Sequence, residues 1–253
     1  MKYYFFLLLN LIFSPLWSQS SPDPNFHIYI LLGQSNMAGR GEMIEPYTSQ
    51  QHEKVWMFTA QNQFVTAKHP MHFDKPALVG VGPGLSFGIE MAKQSSAVKI
   101  GLVPCAVGGS SINSWVVNGY DEATKTHPLD EAIQRILAAQ QQGVIKGILW
   151  HQGESDSETS KRVGYIDKLN ALIAQIRTIT KQANLPFVIG ELGYFNQNYK
   201  DFNQILSSLN APAKHTALIS AQDLNAKSDN IHFDSQSATE LGKRYAFAMQ
   251  QLP

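Results

Sequence analysis

His27-Ile28-Tyr29-Ile30-Leu31-Leu32-Gly33-Gln34-Ser35-Asn36-Met37-Ala38-Gly39 is an apolar run that breaks off into small and polar residues. Pro24 precedes the run and Gly33 closes it. Apolar side chains at odd and even positions alike predict a strand over 27–32 that is buried on both faces, as strands of parallel sheets are. Working outward, further strands are expected at 55–59, 98–103, 144–150, 187–191 and 217–220. Between them fall helical spacings: Leu85, Ile89 and Ala92 within 84–94, and Leu129, Ala132, Ile133, Ile136 and Leu137 after Pro128. A third runs through Tyr165, Leu169, Leu172, Ile173, Ile176 and Ile179. Pro128 suits a first helical turn, where Asp130 and Glu131 favour the helix dipole, and Gly143 is expected to end that helix. A weaker helix is expected over 201–209, and a last one over 238–250 with Ala238, Leu241, Tyr245 and Met249 facing inward. Apolar strands separated by amphipathic helices imply an α/β fold, a three-layer α/β/α sandwich with a central parallel sheet. No repeat and no linker divides it, so residues 21–253 are expected to form one domain.

Residues 1–20 are set apart. One basic residue, Lys2, a short apolar core and the small-residue pattern Ser18-Gln19-Ser20 describe a cleavable signal peptide. The apolar stretch is shorter than the ~20 residues a spanning helix needs, so no stable membrane anchor is expected. The expected location is therefore secreted or periplasmic. The chain has 253 residues, of which 43% are hydrophobic and 16% charged, which excludes a disordered protein. Lys+Arg and Asp+Glu both count 20, without the basic footprint of a nucleic-acid binder. With Cys105 as the only cysteine, neither a disulfide framework nor a multi-cysteine zinc site can form within the chain.

Ligands of doubly wound sheets bind beyond the carboxyl ends of the strands, so the residues following each strand carry the chemistry. After the first strand, Ser35 sits between small residues at a strand-to-loop turn. There a hydroxyl and its own N–H can face one cavity, as a nucleophile with a built-in oxyanion donor requires. The plainer reading is a turn cap. The flanking residues are not the Gly-x-Ser-x-Gly elbow of α/β-hydrolases. After the strand at 98–103, Gly108-Gly109-Ser110-Ser111 offers free backbone N–H groups to an anion, or forms an ordinary turn. After 144–150, His151-Gln152-Gly153-Glu154-Ser155-Asp156 gathers an amide, a carboxylate and an imidazole. Gln152 could donate to an oxyanion and Glu154 could accept from a histidine; the alternative is a helix cap. Near the C-terminus, Asp229-Asn230-Ile231-His232 spaces an acid and an imidazole so that the first can take the Nδ1 proton of the second, or form a surface pair.

Together these four segments resemble the SGNH hydrolase superfamily, and within it the sialate O-acetylesterase and acetylxylan esterase branch, carbohydrate esterase family six. The resemblance runs from His27 to the last helix. It implies a flavodoxin-like sandwich with Ser35 as nucleophile and His232 as general base. The oxyanion donors it implies are the Ser35 N–H, the Gly109 N–H and the Gln152 side chain, where many SGNH enzymes use an Asn. It leaves the acid open between Asp229 and Glu154. Gln34, Asn36 and Ser110 in the same loops are expected substrate contacts, and Trp115 just behind them is read either as the floor of a sugar or acetyl pocket or as core packing.

The expected function is a secreted serine esterase that removes acetyl groups from carbohydrate hydroxyls through an acyl-enzyme, with no cofactor. The rivals are a non-catalytic carbohydrate-binding protein and a lipase or thioesterase on the same scaffold. Arg40 is read as a surface residue and Cys105 as a small buried hydrophobe. His52, His69 and His72 lack zinc-site spacing, so no metal is expected.

Overall fold

The computed structural model describes residues 21–209 and 214–253. The expected signal peptide, residues 1–20, lies outside the described residues.

The stretch around His27 forms the central strand, β1 (Asp23–Gly33). It pairs in parallel with β4 (Lys99–Pro104) on one side and β5 (Gly143–His151) on the other. Outside β4 lie β2 (Val55–Phe58) and β3 (Phe64–Thr66); outside β5 lie β6 (Phe187–Gly190) and β7 (Thr216–Ile219). The seven-stranded order is β3-β2-β4-β1-β5-β6-β7. Every pairing is parallel except β2–β3. This varies the flavodoxin order, in which the first strand lies between the second and third parallel strands; here β4 separates β1 from β2.

Side chains alternate across β1 and feed two cores. Ile28, Ile30 and Leu32 pack with α3 (Pro128–Ala139), α4 (Tyr165–Thr180) and α5 (Gln197–Leu206). Tyr29 and Leu31 pack with α2 (Pro83–Ala92) and α6 (Ser235–Gln251) on the opposite face. Each fully buried aliphatic chain contributes about 1.5–3 kcal/mol, so β1 anchors both layers. The three layers are those the sequence pattern predicts.

The differences are local. β3 was not anticipated: three residues are too few for periodicity, and the turn from Thr59 to Gln63 (N–H to carbonyl 2.8 Å) folds it back on β2. Leu137 is exposed, because the buried face of α3 advances through Leu129, Ala132, Ile136 and Ala139 and leaves Leu137 about 100° off that line. The helix expected at 201–209 begins earlier, at Gln197. Asn196 caps it by accepting from the Tyr199 N–H at 3.0 Å, and a single 3₁₀ turn, Ser207–Leu209, follows it.

The carboxyl ends of β1, β4 and β5 lie side by side at one rim of the sheet. β1 continues directly into the single turn α1 (Ser35–Ala38). At the join, Gly33 has φ +128°, and a Cβ there would meet the His151 carbonyl oxygen at 2.0 Å. Gly164 also has positive φ, +71°, but open space around it. Gly164→Ala is therefore expected to cost about 1 kcal/mol of backbone strain, and Gly33→Ala about 3 kcal/mol or more, because a clash with β5 is added. Equal costs in urea denaturation would contradict the tight β1–β5 junction.

Candidate active site

Ser35 is the first residue of α1, and its Oγ lies 3.0 Å from Nε2 of His232. His232 Nδ1 in turn lies 2.8 Å from Asp229 Oδ2. The other carboxylate oxygen, Oδ1, accepts the N–H groups of Ile231 and His232, both at 2.9 Å. Burial works against the Asp229 charge, but the His232 and Ile231 N–H groups and the His232 ring outweigh it and hold the carboxyl down at about 2. Asn230, between acid and imidazole, takes the left-handed conformation (φ 55°) that Asn tolerates better than most residues. Asp234 then caps α6 by accepting from the Ser237 N–H at 2.7 Å, which fixes where the histidine loop ends.

Neither the Ser35 N–H nor the Gly109 N–H has an acceptor among the described residues. Both residues line a cavity of about 320 Å³ with His232, Glu154, Arg40 and Lys75. Concavities of about 530 and 630 Å³ lie along α6 and hold none of the expected residues.

Several expected roles do not fit. The Gln152 side chain is fully buried, and its two amide hydrogens are shared among Gln34 Oε1 (3.1 Å), Ser110 O (3.0 Å) and Asp156 Oδ2 (2.5 Å). No hydrogen is left for an oxyanion, so Gln152 braces the loops instead. Ser110 is buried, donating to the Val107 carbonyl and accepting from the Trp115 indole. Trp115 is itself core, edge-on to Trp150 at 5.1 Å. Asn36 faces inward: its Oδ1 accepts from the Phe233 N–H and its Nδ2 donates to the Ile231 carbonyl. None of these three lines the Ser35 cavity. Gln34 does reach the cavity wall, while its Oε1 accepts from Gln152 and Ser155.

Glu154 does not bond to His232. Its Oε1 accepts from Asn36 Nδ2 at 2.5 Å and lies 3.6 Å from His151 Nε2, and its Oε2 has no partner. Burial pushes its carboxyl up to about 7, against the Asn36 hydrogen bond. Arg40 is no surface residue: its guanidinium is buried against Asp74 at 2.8 Å, and the Gly108 N–H joins the same carboxylate oxygen at 2.8 Å. Cys105 is buried, and its thiol is pushed up to about 11 by that burial. Among the described residues no group of three or more His, Cys, Asp or Glu could hold a metal ion. Sequence reasoning missed Asp74, Lys75 and Tyr199, which lie in or beside the site but carry no local motif, and gave no role to Ile231 inside the Asp229–His232 turn.

Three comparisons bear on this geometry. A family model described as carbohydrate esterase, sialic acid-specific acetylesterase, matches residues 25–251. A protein of Arabidopsis thaliana described as "Probable carbohydrate esterase" is 28% identical over 250 residues, covering 90% of this chain and 92% of its own. The crystal structure of that Arabidopsis protein superposes with TM-score 0.80 at 27% identity, covering 90% of this chain and 98% of the other. A carbohydrate acetylesterase from Xanthomonas citri shares the fold, with TM-score 0.66 at 19% identity over 89% of this chain and 56% of its own.

The Glu154 carboxyl titrates near 4.5 when unfolded and near about 7 in the fold. Folding thus favours its protonated form, so its stabilising contribution is full below pH 4.5 and lost as pH rises through 7. Glu154→Gln should gain on the native protein between pH 5 and pH 8, by on the order of 2 kcal/mol in denaturation free energy. A difference that does not change with pH would contradict the burial of this carboxyl.

Proposed function

The chain belongs to the sialic acid-specific acetylesterase family of carbohydrate esterases, and from that premise we propose that it is a secreted serine esterase removing acetyl groups from carbohydrate hydroxyls. The observation that carries the proposal is the Ser35–His232–Asp229 relay, with steps of 3.0 and 2.8 Å, opening on a cavity beside two unpaired N–H groups.

In this mechanism His232 Nε2 takes the Ser35 proton as Oγ attacks the ester carbonyl. The oxyanion forms between the Ser35 and Gly109 N–H groups. Asp229 holds the ring with Nδ1 protonated and stabilises the imidazolium. His232 then protonates the departing sugar oxygen, leaving acetyl on Ser35. Water, deprotonated by His232, releases acetate and restores the hydroxyl. Every proton in the cycle passes through one imidazole, and water is the co-reactant.

The acetylated sugar is the open choice, between sialic acid, which the family description names, and neutral glycans such as xylan. Lys75 lines the cavity and forms no ion pair among the described residues. An ammonium there favours an acidic sugar. No described helix is long and apolar enough to cross a membrane. Cleavage after Ser20 would release a protein that begins at Ser21, which mass spectrometry of the exported chain would read directly.

Ser35→Ala should reduce kcat on p-nitrophenyl acetate about 10⁴-fold or more without unfolding the protein. More than a tenth of the activity remaining would remove Ser35 from the mechanism, and no activity in the native protein would favour a binding protein. Octanoyl esters turned over as well as acetyl esters would favour a lipase. Asp229→Asn should lower kcat about a hundredfold more than Glu154→Gln. The reverse order would make Glu154 the acid.

A further inference from the structure

A tetrahedral oxyanion carries three lone pairs, and the Ser35 cavity offers it two donors, the unpaired N–H groups of Ser35 and Gly109. Gln152 is not the third, because its amide hydrogens are taken up by Gln34, Ser110 and Asp156. A cation stands next to that gap. Gly109 has φ +95°, and on the side where a Cβ would stand only Lys75 comes near beyond its chain neighbours. The Lys75 Nζ lies 3.7 Å from that Cβ position. The ammonium forms neither an ion pair nor a hydrogen bond among the described residues.

Lys75 is exposed, but its backbone is held. Its carbonyl accepts the N–H groups of Leu78 at 2.8 Å and Val79 at 3.0 Å. Asp74, the residue before it, accepts from the Gly108 N–H and from Arg40, both at 2.8 Å. The Gly109 carbonyl in turn accepts from Ser155 Oγ at 3.0 Å. The base of Lys75 and the Gly109 peptide thus belong to one fastened unit, and only the four-carbon stem is free to turn.

The other charged groups of the cavity are balanced or turned away. Arg40 is paired with Asp74. Glu154 keeps Oε2 buried and Oε1 on Asn36 at 2.5 Å. On its far side Lys75 borders a second cavity with Arg135 and Glu131, and it forms no ion pair with Glu131. When Oγ attacks, the imidazolium that forms on His232 is matched by Asp229 at 2.8 Å, so the oxyanion is the charge left over. Lys75 therefore meets no opposite charge in the resting site and meets one in the transition state. An interaction made only there lowers the barrier.

We infer that the Lys75 ammonium is the third oxyanion-stabilising group, donating to the tetrahedral oxyanion from beside the Gly109 N–H. It keeps its own proton, and the proton of Ser35 still passes to His232. The inference rests on the esterase reading above. A sugar carboxylate would meet the same ammonium already in the ground state, so the test uses an ester without one. On p-nitrophenyl acetate, Lys75→Met should lower kcat and kcat/KM together by about tenfold, with KM changed less than about twofold. The loss is smaller than the ~10²–10³ of a buried donor, because water screens an exposed ammonium. Lys75→Arg keeps the charge and should retain at least about a third of the native kcat. Lys75 has no partner to lose, so neither variant should lower Tm.

Phenylboronic acid supplies a second readout. Its boron takes the Ser35 Oγ lone pair while His232 takes the proton, which leaves a tetrahedral anion in the oxyanion position. Its Ki should also rise about tenfold in Lys75→Met. An unchanged kcat or an unchanged Ki in Lys75→Met overturns the inference, and so does a Lys75→Arg enzyme as impaired as Lys75→Met. In each of those cases an active native protein leaves the esterase reading standing. A native protein that neither hydrolyses p-nitrophenyl acetate nor binds phenylboronic acid overturns both.

Discussion

A single buried amide holds the rim of the sheet together. Gln152, at the end of β5, reaches Gln34 after β1, Ser110 after β4 and Asp156 in its own loop, and the Tyr165 hydroxyl donates to its Oε1 at 2.8 Å. Asp156 extends the clamp by accepting from Ser111 Oγ at 2.6 Å and from the Ile112 N–H at 2.9 Å. Fully satisfied polar networks of this kind are strong in a low-dielectric interior, and each member fixes the others. The Gly109 peptide and the start of α1 take their positions from this lattice; Ser155, in the same loop, donates to the Gly109 carbonyl at 3.0 Å.

The histidine arrives from the far end of the chain and needs a separate fastening. Asn36, next to Ser35, supplies it with one side chain, accepting from the Phe233 N–H at 3.1 Å and donating to the Ile231 carbonyl at 3.2 Å. The residue that brackets His232 is thus the chain neighbour of Ser35, whose hydroxyl His232 faces. Strain or slack in the loop moves Ser35 and His232 together, which protects their 3.0 Å separation.

The layered fold was legible because it rests on local patterns: the two-faced apolar run of β1 and the helical stripes that cover it. The Asp229–His232 pairing was legible for the same reason, since a turn of four residues keeps the two in reach. The Gln152 and Ser110 side chains turn away from the cavity, which was not legible because their motif fixes position in sequence but not direction, and Trp115 takes the core alternative that its position left open. Each follows a strand at the correct rim, yet each side chain turns into the protein, where partners from other strands wait. Arg40 and Asp74 are separated by 34 positions, and nothing in either local sequence announces a buried pair.

Asp229 and Glu154 are chemically almost the same group, and their surroundings give them opposite characters. Asp229 is partly exposed and accepts two backbone N–H groups, so its charge is stabilised beside the His232 ring. Glu154 is buried beside His151, whose ring burial drives down to about 3. The Tyr245 hydroxyl donates to the Trp150 carbonyl at 2.7 Å, so its oxygen is left to accept from His151 Nδ1 at 3.2 Å. That assignment turns the Nε2 lone pair toward Glu154, and two lone pairs facing each other favour a protonated carboxyl. Two acids at one rim therefore divide by environment: one is kept charged beside the imidazole, and the other is held near neutrality behind Asn36.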